Sequence, residues 1–258
     1  MILRPGQKQI FRNYKIIFFI FALIIAVLYL IDALHSEENL AIGKDADSYQ
    51  KARLRMVASQ IEERGITDPK ILEALRKIPR HLFVPERYRS HAYDDGPLPI
   101  GEGQTISQPY IVALMTSLIQ PDKKDKILEI GTGSGYQAAV LANLVGDVYT
   151  IEIVDTLGKR AEVLLDSLGF ENIHVRIGDG YKGWPEFAPF DGIIVTCAPP
   201  EVPQPLLDQL KDGGRLVIPV GVDRQELMLY EKKNGDITKK SVLPVRFVPM
   251  TGEDVKAP

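Results

Sequence analysis

Residues 126–136 read KILEIGTGSGY, and this stretch decides the fold. Ile127, Leu128 and Ile130 form a short apolar run that passes directly into Gly131-Thr132-Gly133-Ser134-Gly135 and then into YQAAVLANL, a helical pattern. A strand feeding a glycine-rich turn and a helix opens a βαβ unit, with backbone N–H groups exposed at the turn. The rhythm repeats downstream. Apolar runs at 148–153, 173–177, 192–197 and 215–220 alternate with helical patterns at 136–144, 157–168 and 204–210. This alternation predicts an α/β fold, a doubly wound and mostly parallel sheet. Runs at 226–231 and 237–248 flank Asn234-Gly235, a hairpin signal, so the sheet is expected to end in a C-terminal antiparallel hairpin.

Upstream of the sheet, 48–64 is expected to be helical with Gly65 as its stop. Asp68-Pro69 reads as an N-cap followed by proline at the first position of another helix. Residues 94–109 (DDGPLPIGEGQTISQP) are expected to form a structured loop, and 110–119 a helix. Together these make an N-terminal helical extension, and the whole body is expected to run from 48 to 258 as one domain.

The chain has 258 residues, 45% hydrophobic and 25% charged, with one cysteine and a formal net charge of −3. The lone Cys197 excludes an internal disulfide and a cysteine-pair zinc site. A pI near 5.9 gives no electrostatic reason to bind nucleic acid. The average hides an asymmetry. Residues 1–34 carry Arg4, Lys8, Arg12 and Lys15 against Asp32, a net of +3, and the remainder therefore carries −6. Ile16 to Ile31 is an unbroken apolar run preceded by the four cations, the layout of a signal peptide or signal anchor. Membrane contact is expected through residues 16–34, with 35–47 (HSEENLAIGKDAD) as a polar linker. The positive-inside rule would put the N-terminus in the cytoplasm and the body outside, a periplasmic location. The alternatives are a body tethered on the cytoplasmic face, or a start nearer Met56.

The turn has the spacing G-x-G-x-G, not the G-x-G-x-x-G of dinucleotide sites, whose third glycine falls here on Tyr136. Its bare reading is a tight strand-to-helix connection. Glu152, 21 residues after Gly131, ends the second expected strand, where a carboxylate accepts from ribose hydroxyls. Glu129 precedes the turn and faces either ligand or solvent. Gly178-Asp179-Gly180 ends the third strand, and Asp179 is placed to accept from an adenine amino group. Acidic strand ends suit a cationic or neutral adenosine ligand better than a pyrophosphate. LEIGTGSG, IE and GDG thus resemble the Rossmann-like nucleoside-binding half of class I S-adenosyl-L-methionine-dependent methyltransferases.

The loop PLPIGEGQTISQPY (98–110) is more distinctive. On its own physics, Ser107 or Gln108 caps the helix that follows. Preceded by HLFVPERYRSHAYDD and followed by VRIGDGYKGWPEFAPFDGIIVTCAPP and VRFVPMTG, it resembles the signature of the protein-L-isoaspartate O-methyltransferase family over about 57–252. Two features depart from the family pattern: Cys197 stands where a small residue is common, and the segment after Glu152 is only loosely similar. The resemblance implies methyl transfer from S-adenosyl-L-methionine to the α-carboxyl of L-isoaspartyl residues in damaged proteins and peptides. It makes Ser107 the active-site serine and puts Thr105, Ile106 and Gln108 at the cofactor–substrate junction. It also puts Gly131, Gly133, Gly135, Glu152, Asp179 and Gly180 on the cofactor, with Thr251 reaching the site. No metal is implied, and the body is expected to be monomeric. The alternatives are another S-adenosylmethionine-dependent methyltransferase with a small-molecule substrate, or a membrane-tethered binding module without activity.

So sparse a catalytic set fits the chemistry. A substrate α-carboxyl, with a pKa of about 3.3–3.7, is ionised at neutral pH and needs no general base. A sulfonium leaves as a neutral thioether and needs no general acid. His81 and His91 lack a cysteine partner or H-E-x-x-H spacing and read as ordinary histidines, and Trp184 reads as a packing anchor.

Overall fold

The apolar runs become a seven-stranded sheet. The computed structural model describes residues 48–252; the membrane-address and linker expectations for 1–34 and 35–47 lie outside them. The strands are β3 (Lys126–Ile130), β4 (Asp147–Glu152), β5 (Ile173–Ile177), β6 (Phe190–Val195), β7 (Leu210–Val220), β8 (Gln225–Lys233) and β9 (Asp236–Val245). Their order is β5-β4-β3-β6-β7-β8-β9, parallel from β5 to β7 and antiparallel from β7 to β9. β3 is buried over four of its five residues, because helices cover both faces of a parallel sheet.

Alternation along the strands assigns the two faces. Leu128, Ile130, Tyr149, Ile151, Phe190 and Ile193 join Leu206 and Leu207 of α5 (Gln204–Asp208) in one core cluster. Trp184 packs against that cluster edge-on to Tyr149, as expected of an anchor. Glu129 and Thr150, at intervening positions, point to the opposite face. Flanking helices are α1 (Pro69–Lys77), α2 (Pro109–Ile119), α3 (Tyr136–Ala142) and α4 (Asp155–Ser167). Asp68 caps α1 as read from sequence, accepting from the Lys70 N–H at 2.8 Å with Pro69 in the first turn. Among the described residues no helix is long and apolar enough to cross a membrane.

Three local expectations change. Residues 94–109 are not only loop: Leu98–Gly101 (β1) and Gln104–Ile106 (β2) pair antiparallel. The hairpin escapes sequence reading because its strands are only four and three residues long and the first contains Pro99; the chain turns at Glu102-Gly103, with φ 53° and 69°. β7 starts at Leu210, not Arg215, because the Gly213-Gly214 segment bulges within the strand, where pairing with β6 shifts register. Helix α2 begins at Pro109 with Gln108 as N-cap, and no side chain caps it, so the capping reading of Ser107 and Gln108 is not what the structure adopts.

Candidate active site

Strand order reverses between β3 and β6, since β3 leads to β4 and β5 on one side and β6 returns on the other. Open α/β sheets bind ligands in the crevice beyond the carboxyl ends of strands at such a point. Here the crevice is a cleft of about 800 Å³, open to solvent. Its floor is stitched across the reversal: the Thr196 N–H donates to the Ile130 carbonyl at 2.9 Å, and the Thr196 hydroxyl donates to the Gly131 carbonyl at 2.7 Å.

Of the residues expected from sequence, Thr105, Ile106, Ser107, Gly131, Gly133, Glu152, Gly180 and Thr251 wall this one cleft. Three others lie elsewhere. The Gln108 amide donates to Asp95 at 2.7 Å and borders a neighbouring groove. Gly135 sits under α4, where a Cβ would meet Leu165 at 3.2 Å, so it sets helix packing. Asp179 caps the turn after β5 by accepting from the Tyr181 N–H at 2.9 Å, beside rather than within the cleft wall.

Glu152 is 5% exposed and uses both oxygens, accepting from the Gly133 N–H at 2.7 Å and the Val154 N–H at 2.9 Å. A carboxylate has about four acceptor positions, so it retains capacity for a ligand hydroxyl. Glu129 faces the cleft and not solvent. It is fully buried, its Oε2 accepts from the Thr150 hydroxyl at 2.6 Å, and its Oε1 has no partner among the described residues. Burial first, and then the neighbouring Glu152, push its carboxyl up to about 8, against the lowering effect of the Thr150 hydrogen bond. An orphaned buried acceptor on the wall of an acid-lined cleft fits a cationic ligand group.

A prediction follows from that raised carboxyl. Between its ordinary 4.5 and about 8 the folded chain holds a proton that the unfolded chain has released. Its contribution to stability is complete below 4.5 and is lost as pH rises to about 8. Glu129→Gln keeps a neutral side chain throughout, so its melting temperature relative to the parent should climb from pH 5 to pH 8; a pH-independent difference between the two would refute the assignment.

Sequence reasoning missed Thr196 and residues 248–250, which complete the cleft from the other side of the strand reversal. Cys197 lies two residues past the end of β6, half-buried on the cleft wall, with its thiol pushed up by burial and by Glu152. Arg80 was also overlooked. Fully buried, it donates from Nη2 to the Ser107 carbonyl at 2.7 Å and from Nε to the Ala92 carbonyl at 2.8 Å. The histidines play no part in the cleft: His81 bonds the Tyr93 hydroxyl and His91 pairs with Asp94, each at 2.8 Å.

Ser107 stands at a boundary. A second groove of about 1,090 Å³ shares Thr105, Ser107, Thr196 and Val248 with the cleft and runs outward along 243–248. The Ser107 hydroxyl has no hydrogen-bond partner among the described residues, and its backbone is held by Arg80.

The family profile described as protein-L-isoaspartate(D-aspartate) O-methyltransferase matches residues 51–255. The chain belongs to this family. A protein-L-isoaspartate O-methyltransferase of Opitutus terrae is 54% identical over 220 residues, covering 83% of this chain and 94% of the relative. A solved protein-L-isoaspartate O-methyltransferase superposes with a TM-score of 0.71 at 33% identity, covering 80% of this chain and 67% of that one. A family member of Plasmodium falciparum, solved in complex with S-adenosyl-L-homocysteine, superposes at 0.68 and 27% identity over 77% of this chain and 98% of that one.

Proposed function

We propose that the chain transfers a methyl group from S-adenosyl-L-methionine to the free α-carboxylate of L-isoaspartyl residues in damaged proteins, with Ser107 orienting the acceptor. The observation that carries the assignment of Ser107 is its position: it borders both the acid-lined cleft and the outward groove with a hydroxyl uncommitted among the described residues, next to Thr105, which borders both as well. When bound, S-adenosyl-L-methionine supplies an electrophilic methyl carbon on a sulfonium; a carboxylate oxygen forms the new O–C bond as the C–S bond breaks.

The chain's own residues supply position and environment. Glu152 would offer its spare acceptor positions to ribose hydroxyls, while holding Gly133 and Val154 in place. The orphan Oε1 of Glu129 would accept from the ligand's ammonium group, and Gly180 would border the adenine, with Asp179 next to it outside the cleft wall. Ser107 would donate to one oxygen of the acceptor carboxylate, leaving the other free to take the methyl group. Orientation of this kind contributes several kcal/mol without any proton transfer. No residue must act as base, because the acceptor is already ionised.

The direct test measures labelled methyl transfer to an isoaspartyl peptide beside the matching aspartyl peptide; labelling of neither would overturn the reading. Ser107→Ala should lower kcat by about 10- to 100-fold, the worth of one hydrogen bond to a charged group, with KM for S-adenosyl-L-methionine unchanged. Full turnover in that variant would remove Ser107 from the mechanism.

The same proposal assigns 1–34 to a membrane address and 35–47 to a linker, supported by the +3 charge and the apolar run Ile16 to Ile31. It keeps the 48–258 domain on the cytoplasmic side, where the cofactor is made, which requires the opposite of the orientation that the positive-inside rule gives to the four leading cations.

A further inference from the structure

The groove beyond Ser107 differs in charge from the cleft. Among the described residues its wall carries two arginines, Arg64 and Arg246, and no carboxylate, whereas the carboxyl side chains of Glu129 and Glu152 line the cleft. Arg64 is already engaged: it pairs with Asp95 at 3.1 Å and lies over the Tyr110 ring at 3.6 Å. Arg246 is exposed and makes no hydrogen bond or ion pair among the described residues.

Its backbone is nonetheless fixed. The next residue, Phe247, is clamped at both polar atoms by Gln225, whose Oε1 accepts from the Phe247 N–H at 2.6 Å and whose Nε2 donates to the Phe247 carbonyl at 3.1 Å. Val248 is then tied to the Ala198 N–H at 2.8 Å. On the other side, Val245 is the last residue of β9 paired with β8. Among the described residues β9 is the edge of the sheet, with no strand paired on its outer side, so the groove lined by 243–245 runs along a strand edge suited to an extended peptide.

We propose that Arg246 is a specificity-determining residue that favours isoaspartyl sites flanked by acidic side chains and disfavours those flanked by cationic ones. The proposal rests on the isoaspartyl reading. A peptide whose isoaspartyl carboxylate meets Ser107 must pass its neighbouring residues along the groove, and Arg246 is the uncompensated charge they meet there. Because Arg246 is exposed, the attraction is modest and screened by salt.

The experiment uses isoaspartyl peptides that differ only in a flanking Glu, Gln or Lys, placed on either side in separate sets. The full chain and its Arg246→Gln and Arg246→Glu variants are compared at low ionic strength and at about 0.5 M salt, where screening is short-ranged. At low salt the parent should prefer Glu over Lys in one set by about 5- to 10-fold in kcat/KM, carried mainly by KM. Arg246→Gln should level the three peptides, Arg246→Glu should invert the order, and salt should erase the parent's preference. Equal use of the three peptides by the parent, or the same ordering in Arg246→Glu, overturns the role of Arg246 while leaving the isoaspartyl reading intact. Failure to methylate even the Gln peptide overturns both.

Discussion

Arg80→Met is expected to lower the unfolding free energy by about 2–5 kcal/mol and to slow methyl transfer beyond what lost stability explains. Among the described residues Arg80 has no carboxylate partner. Burial lowers its guanidinium to about 10, with Tyr136 and Tyr93 acting in the opposite sense, so it remains charged at neutral pH. Two backbone carbonyls, those of Ala92 and Ser107, and the Tyr136 ring at 4.8 Å hold that charge in place. Methionine removes the cost of burying the cation but leaves both carbonyls without a donor, each worth about 1–3 kcal/mol. One of those carbonyls belongs to Ser107. Its hydroxyl then loses a fixed position, and misplacement of that order slows reactions that depend on alignment. Denaturant unfolding gives the first quantity; kcat and KM, measured well below the melting temperature, give the second. Arg80→Lys keeps the charge and one donor direction, so it should recover part of both. If the methionine variant is destabilised but turns over at the parental rate, Arg80 is structural only.

Gly131→Ala should weaken binding of S-adenosyl-L-methionine by more than tenfold in calorimetry and cost about 2–4 kcal/mol of stability. Gly131 has φ +93°, where side-chain-bearing residues are strained, and its added Cβ would lie 2.4 Å from the Thr196 Oγ1. Thr196 cannot swing away cheaply, since its hydroxyl is shared between the Ile130 and Gly131 carbonyls. The ends of β3 and β6 must part instead, which opens the cleft floor. Adding Thr196→Ala to the variant removes the clashing atom and should restore part of the affinity. Parental affinity in Gly131→Ala alone would show that this crevice does not hold the cofactor.

These positions show what local pattern can and cannot reveal. The strand Lys126–Ile130, its glycine turn and the Asn234-Gly235 hairpin were legible because each depends on neighbours a few residues apart. Glu152 was legible for the same reason, as the acid closing the next strand. Thr196 and 248–250 enter the cleft only because β6 returns beside β3, a fact about strand order that no window of sequence contains. Arg80 looks like an ordinary surface cation until the chain brings Ala92, Ser107 and Tyr136 around it. The β1–β2 hairpin was obscured differently, by strands too short to establish a period of two.

The last wall of the cleft bears on how the protein is made. Residues 248–251 line it, held to Ala198 by paired backbone hydrogen bonds of 2.8 Å, and they follow every strand of the sheet in the chain. A ribosome delivers the sheet first and these residues afterwards. The cleft is therefore fully walled only once the last strand of the sheet and the few residues after it have been made.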